Sequence, residues 1–273
     1  MHEPPRAWIR SVDAVYAFVE DESVRKEYPS LAERVTEAVQ VCERALATFG
    51  IADCALSFNG GKDCTVLAHI LAAVLRRKAG LTAENCHIPT IRSLYIACKS
   101  PFPEIEDFIR YSSAPNTGYN LDLIWSHGDI RNILAECTGM VPSSKGAPLR
   151  NVRAMFIGVR HEDPHGSTLG FESPCDPDWP PMMRIHPILR WGYDDVWAFL
   201  RSPVLATDMS VSAPGVTGGG TLGVPYCSLY DHGYTSLGST FNTRPNPMLA
   251  RQGGKYAPAY ELLDSATERA GRV

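Results

Sequence analysis

Nine consecutive residues, Leu56-Ser57-Phe58-Asn59-Gly60-Gly61-Lys62-Asp63-Cys64, restrict the fold of this chain more than any others. The run from Cys54 to Phe58 is short and mostly apolar, as a buried parallel strand is. Gly60 and Gly61 permit a tight turn and a close approach of backbone to a ligand. Beyond Lys62, the apolar residues Leu67, Ile70, Leu71, Val74 and Leu75 recur at helical spacing. Strand, Gly-Gly turn and helix N-terminus together make an anion site, because unpaired N–H groups and the helix dipole both point at the bound charge. A nucleotide phosphate is the expected anion. The bland alternative is an ordinary strand-turn-helix corner with a chance pair of glycines.

Two common phosphate loops are excluded by spacing. A Walker A loop needs GxxxxGK followed by Ser or Thr, whereas Lys62 is followed by Asp63 and no glycine stands five residues before Gly61. A GxGxxG dinucleotide fingerprint is absent as well. At 273 residues the chain suits one large α/β domain or two small ones. Its net charge of −4 carries no general nucleic-acid footprint, and no apolar run is long enough to span a bilayer. Glu3, Asp13, Glu20, Asp21 and Glu22 argue against a transit peptide, and there is no apolar signal stretch. The eight cysteines contain no CxxC pair, and several sit inside apolar runs. That usage points to reduced thiols and a cytoplasmic setting, not to zinc or a disulfide framework. His161 and His165 have i, i+4 spacing, but Pro164 lies between them and no third ligand is evident. No residue pattern speaks to oligomeric state, and a monomer is the default.

Further along, apolar runs and helical spacings alternate. Trp8, Ile9, Val12, Val15, Tyr16 and Val19 suggest a short docking helix, and Ser30 with Glu33 reads as a capping box for a helix reaching Phe49. Strands are expected at 91–96, 120–125 and 154–159, with helices from Pro103, over 129–137 and over 192–200. Such alternation predicts an α/β fold: a mostly parallel twisted sheet with helices on both faces and ligands at the carboxyl ends of the strands. Residues 206–222 are rich in Gly, Ser, Thr and Val with one charge, Asp208, and are expected to be a flexible, dispensable insert.

The Asn-Gly-Gly-Lys-Asp corner resembles the PP-loop, usually SGGKDS, of the ATP pyrophosphatases. Downstream stand Gly158-Val159-Arg160-His161-Glu162-Asp163-Pro164, Asp176-Pro177-Asp178-Trp179-Pro180 and Met183-Arg184-Ile185-His186-Pro187. Pro225-Tyr226-Cys227-Ser228-Leu229-Tyr230 follows, and Glu268-Arg269-Ala270-Gly271-Arg272 stands at the end. As a set, from about residue 30 onward, these motifs are similar to those of the fungal and animal FMN adenylyltransferases (FAD synthases), which share the PAPS reductase-like fold.

The resemblance implies one domain over 1–273, with a nucleotide core over about 30–160 and a flavin-binding and C-terminal segment over about 160–273. It implies the magnesium-dependent reaction of FMN with ATP to give FAD and pyrophosphate. Ser57, Asn59, Gly60, Gly61 and Lys62 would then hold the triphosphate, with Lys62 contributing its side chain. Tyr95 and Ile96 would read adenine, and Asp63 and Asp163 would support Mg2+. Arg160 and the flavin loop residues Asp176, Trp179, Met183 and Arg184 would complete the substrate site. Arg269 and Arg272 would close over it and contact phosphate, so that truncation after Thr267 costs activity but little stability. Each residue also has an ordinary reading: Asp63 as a first-turn helix carboxylate, Asp163 as an Asp-Pro turn, Tyr95 and Ile96 as strand packing, Trp179 as a cap on the core edge, and the arginines as a solvated terminal pair. The rivals in function are a sulfonucleotide-processing or other adenylylating enzyme on the same scaffold, and a catalytically inactive nucleotide-binding protein. A PAPS reductase would need a catalytic Cys in a C-terminal Glu-Cys-Gly segment, which is absent.

Overall fold

The computed structural model describes residues 5–141, 151–207, 213–218 and 223–273. Its first six strands are β1 (Cys54–Ser57), β2 (Ile91–Ala97), β3 (Leu121–His127), β4 (Ala154–Phe156), β5 (Glu172–Pro174) and β6 (Met183–Ile185). They form one sheet in the order β3-β2-β1-β4-β6-β5, parallel throughout except for the edge strand β5. The strand that ends in the Gly-Gly corner thus lies inside the sheet, flanked by β2 and β4. Strand alternation sends Leu56, Tyr95, Phe156 and Ile185 to one face and Ala55, Leu94 and Met155 to the other.

The first face carries most of the helices. These are α1 (Arg6–Asp13), α2 (Ala17–Glu20), α3 (Glu22–Glu27), α4 (Pro29–Phe49), α5 (Lys62–Lys78) and α6 (Pro103–Ser113). After α7 (Ile130–Thr138), α8 (Tyr193–Leu200) returns to that face and packs against α4 and α5. α5 is buried nearly all round because α1, α4 and α8 enclose it. The second face is covered more thinly: α7 contributes Leu134 and Cys137 there, and Ile96, Ile124, Ile157 and Trp179 stay partly exposed at its margin.

The expected elements all form, with ends shifted by a few residues. The Ser30–Glu33 capping box does not. Tyr28 takes the N-cap position of α4 and Pro29 opens the helix, its fixed φ suiting the first helical position, so Ser30 already lies inside. A larger difference concerns residues 206–222. Val216–Gly218 forms strand β7, antiparallel to β8 (Pro225–Cys227), with Val216 buried and Thr217 Oγ1 donating to Asp231 at 2.6 Å. Gly215 can make its turn because its φ is +70° and it lies against the backbone of Glu104. Segment 213–218 is therefore ribbon packed on α6, not an insert that can be dropped without cost; 208–212 and 219–222 lie outside the described residues.

Candidate active site

The corner after β1 is held open by three local devices. Gly60 adopts φ +70°, and a Cβ there would come within 2.7 Å of Ile109 Cγ1, so the loop can lie this close to α6 only as glycine. Asn59 folds its side chain back, Oδ1 accepting from Gly61 N at 2.9 Å. Lys62 N, at the start of α5, donates to Tyr230 Oη at 2.9 Å. β1 stops at Ser57, and Phe58 N makes the last bond to Leu94 O. Beyond that point the β1-facing edge of β2, at Ile96, opens into a cleft of about 330 Å³. Gly158, after β4, forms the opposite wall; a Cβ there would stand 3.0 Å from Cys64 N, over the first turn of α5.

Beneath the cleft lies a compact charge cluster. Lys62 is 2% exposed, and its Nζ meets Asp63 Oδ2 at 2.9 Å and Glu268 Oε1 at 2.6 Å. Arg160 is 1% exposed and touches three carboxylates: Asp63 Oδ1 at 3.0 Å, Asp163 Oδ1 at 3.3 Å, and Glu268 Oε2 at 2.7 Å. Asp163 Oδ2 also accepts from Arg160 N at 2.8 Å, closing a short Arg-to-Asp turn. Burial would raise the Asp63 carboxyl, but Lys62 and Arg160 more than offset it and hold it below the usual range. Burial would lower Arg160; Asp63, Glu268 and Asp163 outweigh it and drive the guanidinium upward, so it stays charged. Tyr230 is buried beside Asp63, which pushes its phenol well above its usual value and keeps it neutral.

The C-terminal tail folds back over this cluster. Thr235 Oγ1 donates to Glu268 O at 2.5 Å, and Asn246 Nδ2 donates to Thr267 O at 2.8 Å. Arg244 N donates to Gly271 O at 2.9 Å, and residue 272 bridges to 243. The tail is a series of turns, not a helix, yet Arg272 N still bonds Arg269 O at 2.9 Å and keeps the two side chains neighbours. Arg269 is exposed and lines the cleft. Arg272 lies behind Gly238, where a Cβ would collide with its guanidinium. Glu268 is thus buried between two cations, so the tail after Thr267 is part of the charge cluster and not a solvated appendage.

The structure therefore gathers Asn59, Gly61, Lys62, Asp63, Tyr95, Ile96, Asp163 and Arg269 around one cleft. Gly60, Arg160 and Arg272 contact residues that line it, and Ser57 ends β1 in register with Leu94. The Lys62 ammonium is the main departure from expectation: it is turned inward and paired with Asp63 and Glu268, and its backbone N–H is taken by Tyr230. The flavin loop residues are not in this cleft. Trp179 N bonds Asp176 O at 2.8 Å in the turn between β5 and β6, and Trp179 packs at the margin of the second face. Arg184 pairs in register with Met155 and so shares that face, 3.9 Å from Asp176. Met183 does not accompany them. It is one residue away on the strand, so alternation turns it to the main core on the opposite face.

Among the described residues no group of three or more His, Cys, Asp or Glu side chains is arranged to hold a metal ion. Asp63 and Asp163 nonetheless fit a cation that arrives with its own phosphate ligands, which needs only one or two protein carboxylates. Asp63 Oδ1 is buried and has no hydrogen-bond donor of good geometry.

Sequence reasoning missed Tyr230, Glu268 and Gly158 as site residues. Each lies inside one of the motifs above, but nothing local signals that Tyr230 caps a helix 168 positions earlier or that Glu268 reaches Lys62 across 206. Cys227, by contrast, is fully buried in β8, which pushes its thiol up to about 12, as suits a packing residue.

Residues 53–206 match the phosphoadenosine phosphosulfate reductase domain family. A probable FAD synthase of Schizosaccharomyces pombe is 35% identical over 243 residues, covering 89% of this chain and 80% of that protein. A probable FAD synthase of Caenorhabditis briggsae is 33% identical over 97% of this chain, which spans 45% of the nematode protein's length. Among solved structures, Candida glabrata FMN adenylyltransferase in complex with FAD and inorganic pyrophosphate superposes with a TM-score of 0.72 over 100% of both chains at 21% identity, a likeness of fold. No helix among the described residues is long and apolar enough to cross a membrane. By fold, by domain match and by the length of its relatedness, the chain belongs to the phosphoadenosine phosphosulfate reductase domain family, in its FAD synthase branch.

Proposed function

We propose that this protein makes FAD by transferring AMP from ATP to the phosphate of FMN, releasing pyrophosphate. The observation that carries the reading is the cleft itself: a Gly-Gly corner at the carboxyl end of an interior strand, two carboxylates, a free arginine and an open edge of β2 converge there. Beside it lies a thinly covered apolar face bearing Trp179 and Arg184. ATP suits the cleft, with adenine against the edge of β2 at Tyr95 and Ile96 and phosphates over Asn59–Asp63. The flat isoalloxazine ring suits Trp179, with Arg184 and Asp176 at its polar edge. Met183 is left out of this assignment.

In the reaction a phosphate oxygen of FMN forms a bond to the α-phosphorus of ATP while the bond from that phosphorus to the α,β-bridging oxygen breaks, and the electron pair leaves with pyrophosphate. The second pKa of a phosphate monoester is near 6, so the nucleophile is already an anion and needs no general base. The protein's task is positioning and charge neutralisation. Tyr230 accepts from Lys62 N, which leaves its O–H proton free to point into the cleft. Arg269, with Arg272 behind it, supplies positive charge where two polyanions meet, and a guanidinium fork suits phosphate oxygens. Mg2+ bound to the triphosphate would be supported by Asp63 and Asp163 and would neutralise the leaving pyrophosphate. The eight free thiols are in keeping with a cytoplasmic setting.

Purified protein incubated with ATP, Mg2+ and FMN should form FAD with one pyrophosphate released per FAD, and riboflavin should not replace FMN. Background pyrophosphate release with FMN, together with stimulation by sulfate or a sulfonucleotide, would overturn the assignment.

A further inference from the structure

The least expected feature of the site is that its most buried carboxylate belongs to the last few residues of the chain. Glu268 is 7% exposed and bridges Lys62 and Arg160, using Oε1 for the ammonium at 2.6 Å and both oxygens for Arg160 Nη2 at 2.9 and 2.7 Å. Its main chain is fixed as well. Thr235 Oγ1 donates to its carbonyl, and Asn246 Nδ2 holds Thr235 Oγ1 at 2.9 Å while also bonding Thr267 O. The very next residue is Arg269. It is exposed, lines the cleft and the adjoining hollow beside Glu162 and Ser265, and has no carboxylate partner among the described residues. The division of labour is plain: the carboxylate is consumed in anchoring, and the neighbouring guanidinium is left unpaired for a ligand.

We propose that Glu268 is a positioning residue: its carboxylate, seated between Lys62 and Arg160, anchors the C-terminal tail so that Arg269 stands over the nucleotide cleft. In this arrangement the loop lysine is an anchor post for the tail and not a phosphate donor. A buried charge pair is rarely a net source of stability compared with well-packed apolar groups, but it fixes geometry, because a displaced carboxylate would leave two buried cations short of a partner. Here the geometry it fixes is that of the following arginine. The inference rests on the activity proposed above and specifies how one of its residues is brought to the phosphates.

The alternative is that Glu268 merely satisfies two buried cations, and a double-mutant cycle separates the two. FAD synthesis is measured for the wild type, Glu268→Gln, Arg269→Ala and the double variant. If Glu268 acts through Arg269, each single variant loses about 10²-fold in kcat/KM and the double variant loses little more than the worse single one. Losses that multiply to about 10⁴ would show the two acting independently and would overturn the inference. A wild type that makes no FAD would sink the activity and leave the anchoring to a second readout. Trypsin cleavage after Arg269, followed by mass spectrometry, should be slow in the wild type and at least about tenfold faster in Glu268→Gln, since exchange of local order controls access. Equal rates would overturn the inference. Should Glu268→Gln fail to fold, Thr235→Val cuts only the main-chain hold; it should speed release of the terminal peptide and cost activity non-additively with Arg269→Ala. Multiplying losses and unchanged cleavage in that variant would again refute the anchoring role.

Discussion

Replacing Arg160 by Met tests the charge cluster most directly, since Met preserves an unbranched apolar stem and removes only the guanidinium. Asp63 and Glu268 would then share one cation, Lys62, and Asp163 would lose its ion-pair partner. Removing one partner of a buried ion pair costs about 3–5 kcal/mol, because the remaining charge keeps its desolvation without its attraction. At about 2 °C per kcal/mol for a chain of this size, the melting temperature should fall by about 6–10 °C. The pH dependence has a definite sign. In the wild type the folded-state pKa of Asp63 is depressed, so its stabilising contribution is fully present above the unfolded value of about 3.9 and is lost only as pH falls through the depressed one. Between pH 5 and 8 that contribution is flat. In Arg160→Met the buried Asp63 loses the opposing Arg160 charge and keeps mainly that of Lys62, so its carboxyl moves up, and the penalty for keeping it ionised is relieved as pH falls through the raised value. The deficit in melting temperature, followed by circular dichroism, should therefore be greatest at pH 8 and shrink toward pH 5. A deficit under about 2 °C, or one that widens on acidification, would refute the account of the cluster.

Four further outcomes follow from the same geometry. Asp163→Asn keeps an acceptor for Arg160 N but loses the charge, so kcat should drop by about 10²–10³ while the melting temperature moves by no more than about 2 °C; both are read on one preparation. Tyr230→Phe leaves Lys62 N without its acceptor, which should cost about 1–3 kcal/mol in denaturant unfolding and raise KM for ATP severalfold. Trp179→Ala should raise KM for FMN by about tenfold with KM for ATP unchanged, as steady-state kinetics with each substrate varied will report. Chelating divalent cations should abolish turnover yet leave the melting temperature of the unliganded protein in place, because Arg160 already pairs with Asp63 and Asp163, and Lys62 with Asp63.

The sequence by itself determined the corner and most of the frame around it. Alternating apolar runs fixed where strands and helices form, since burial of an apolar stripe is a local, periodic demand. The Gly-Gly pair after an apolar run determined the anion corner, because only glycine tolerates φ +70° with Ile109 so near. Asp63, Asp163 and Arg269, singled out through motifs that resemble those of a family, line one cleft. Tertiary structure decided which way side chains face and with whom they pair. Lys62 looked like a phosphate donor from its place in the loop; its inward turn depends on a glutamate 206 residues away, which no local pattern can reveal. Met183 and Arg184 share one motif, and half a strand period sends them to opposite faces. Residues 213–218 looked structureless because a three-residue ribbon strand has too little periodicity to detect, and its partner and the α6 surface beneath it exist only in the fold. What chain chemistry specifies is the local preference of each segment; the burial of Glu268 between two cations is a property of three distant segments meeting, and only the packed molecule contains it.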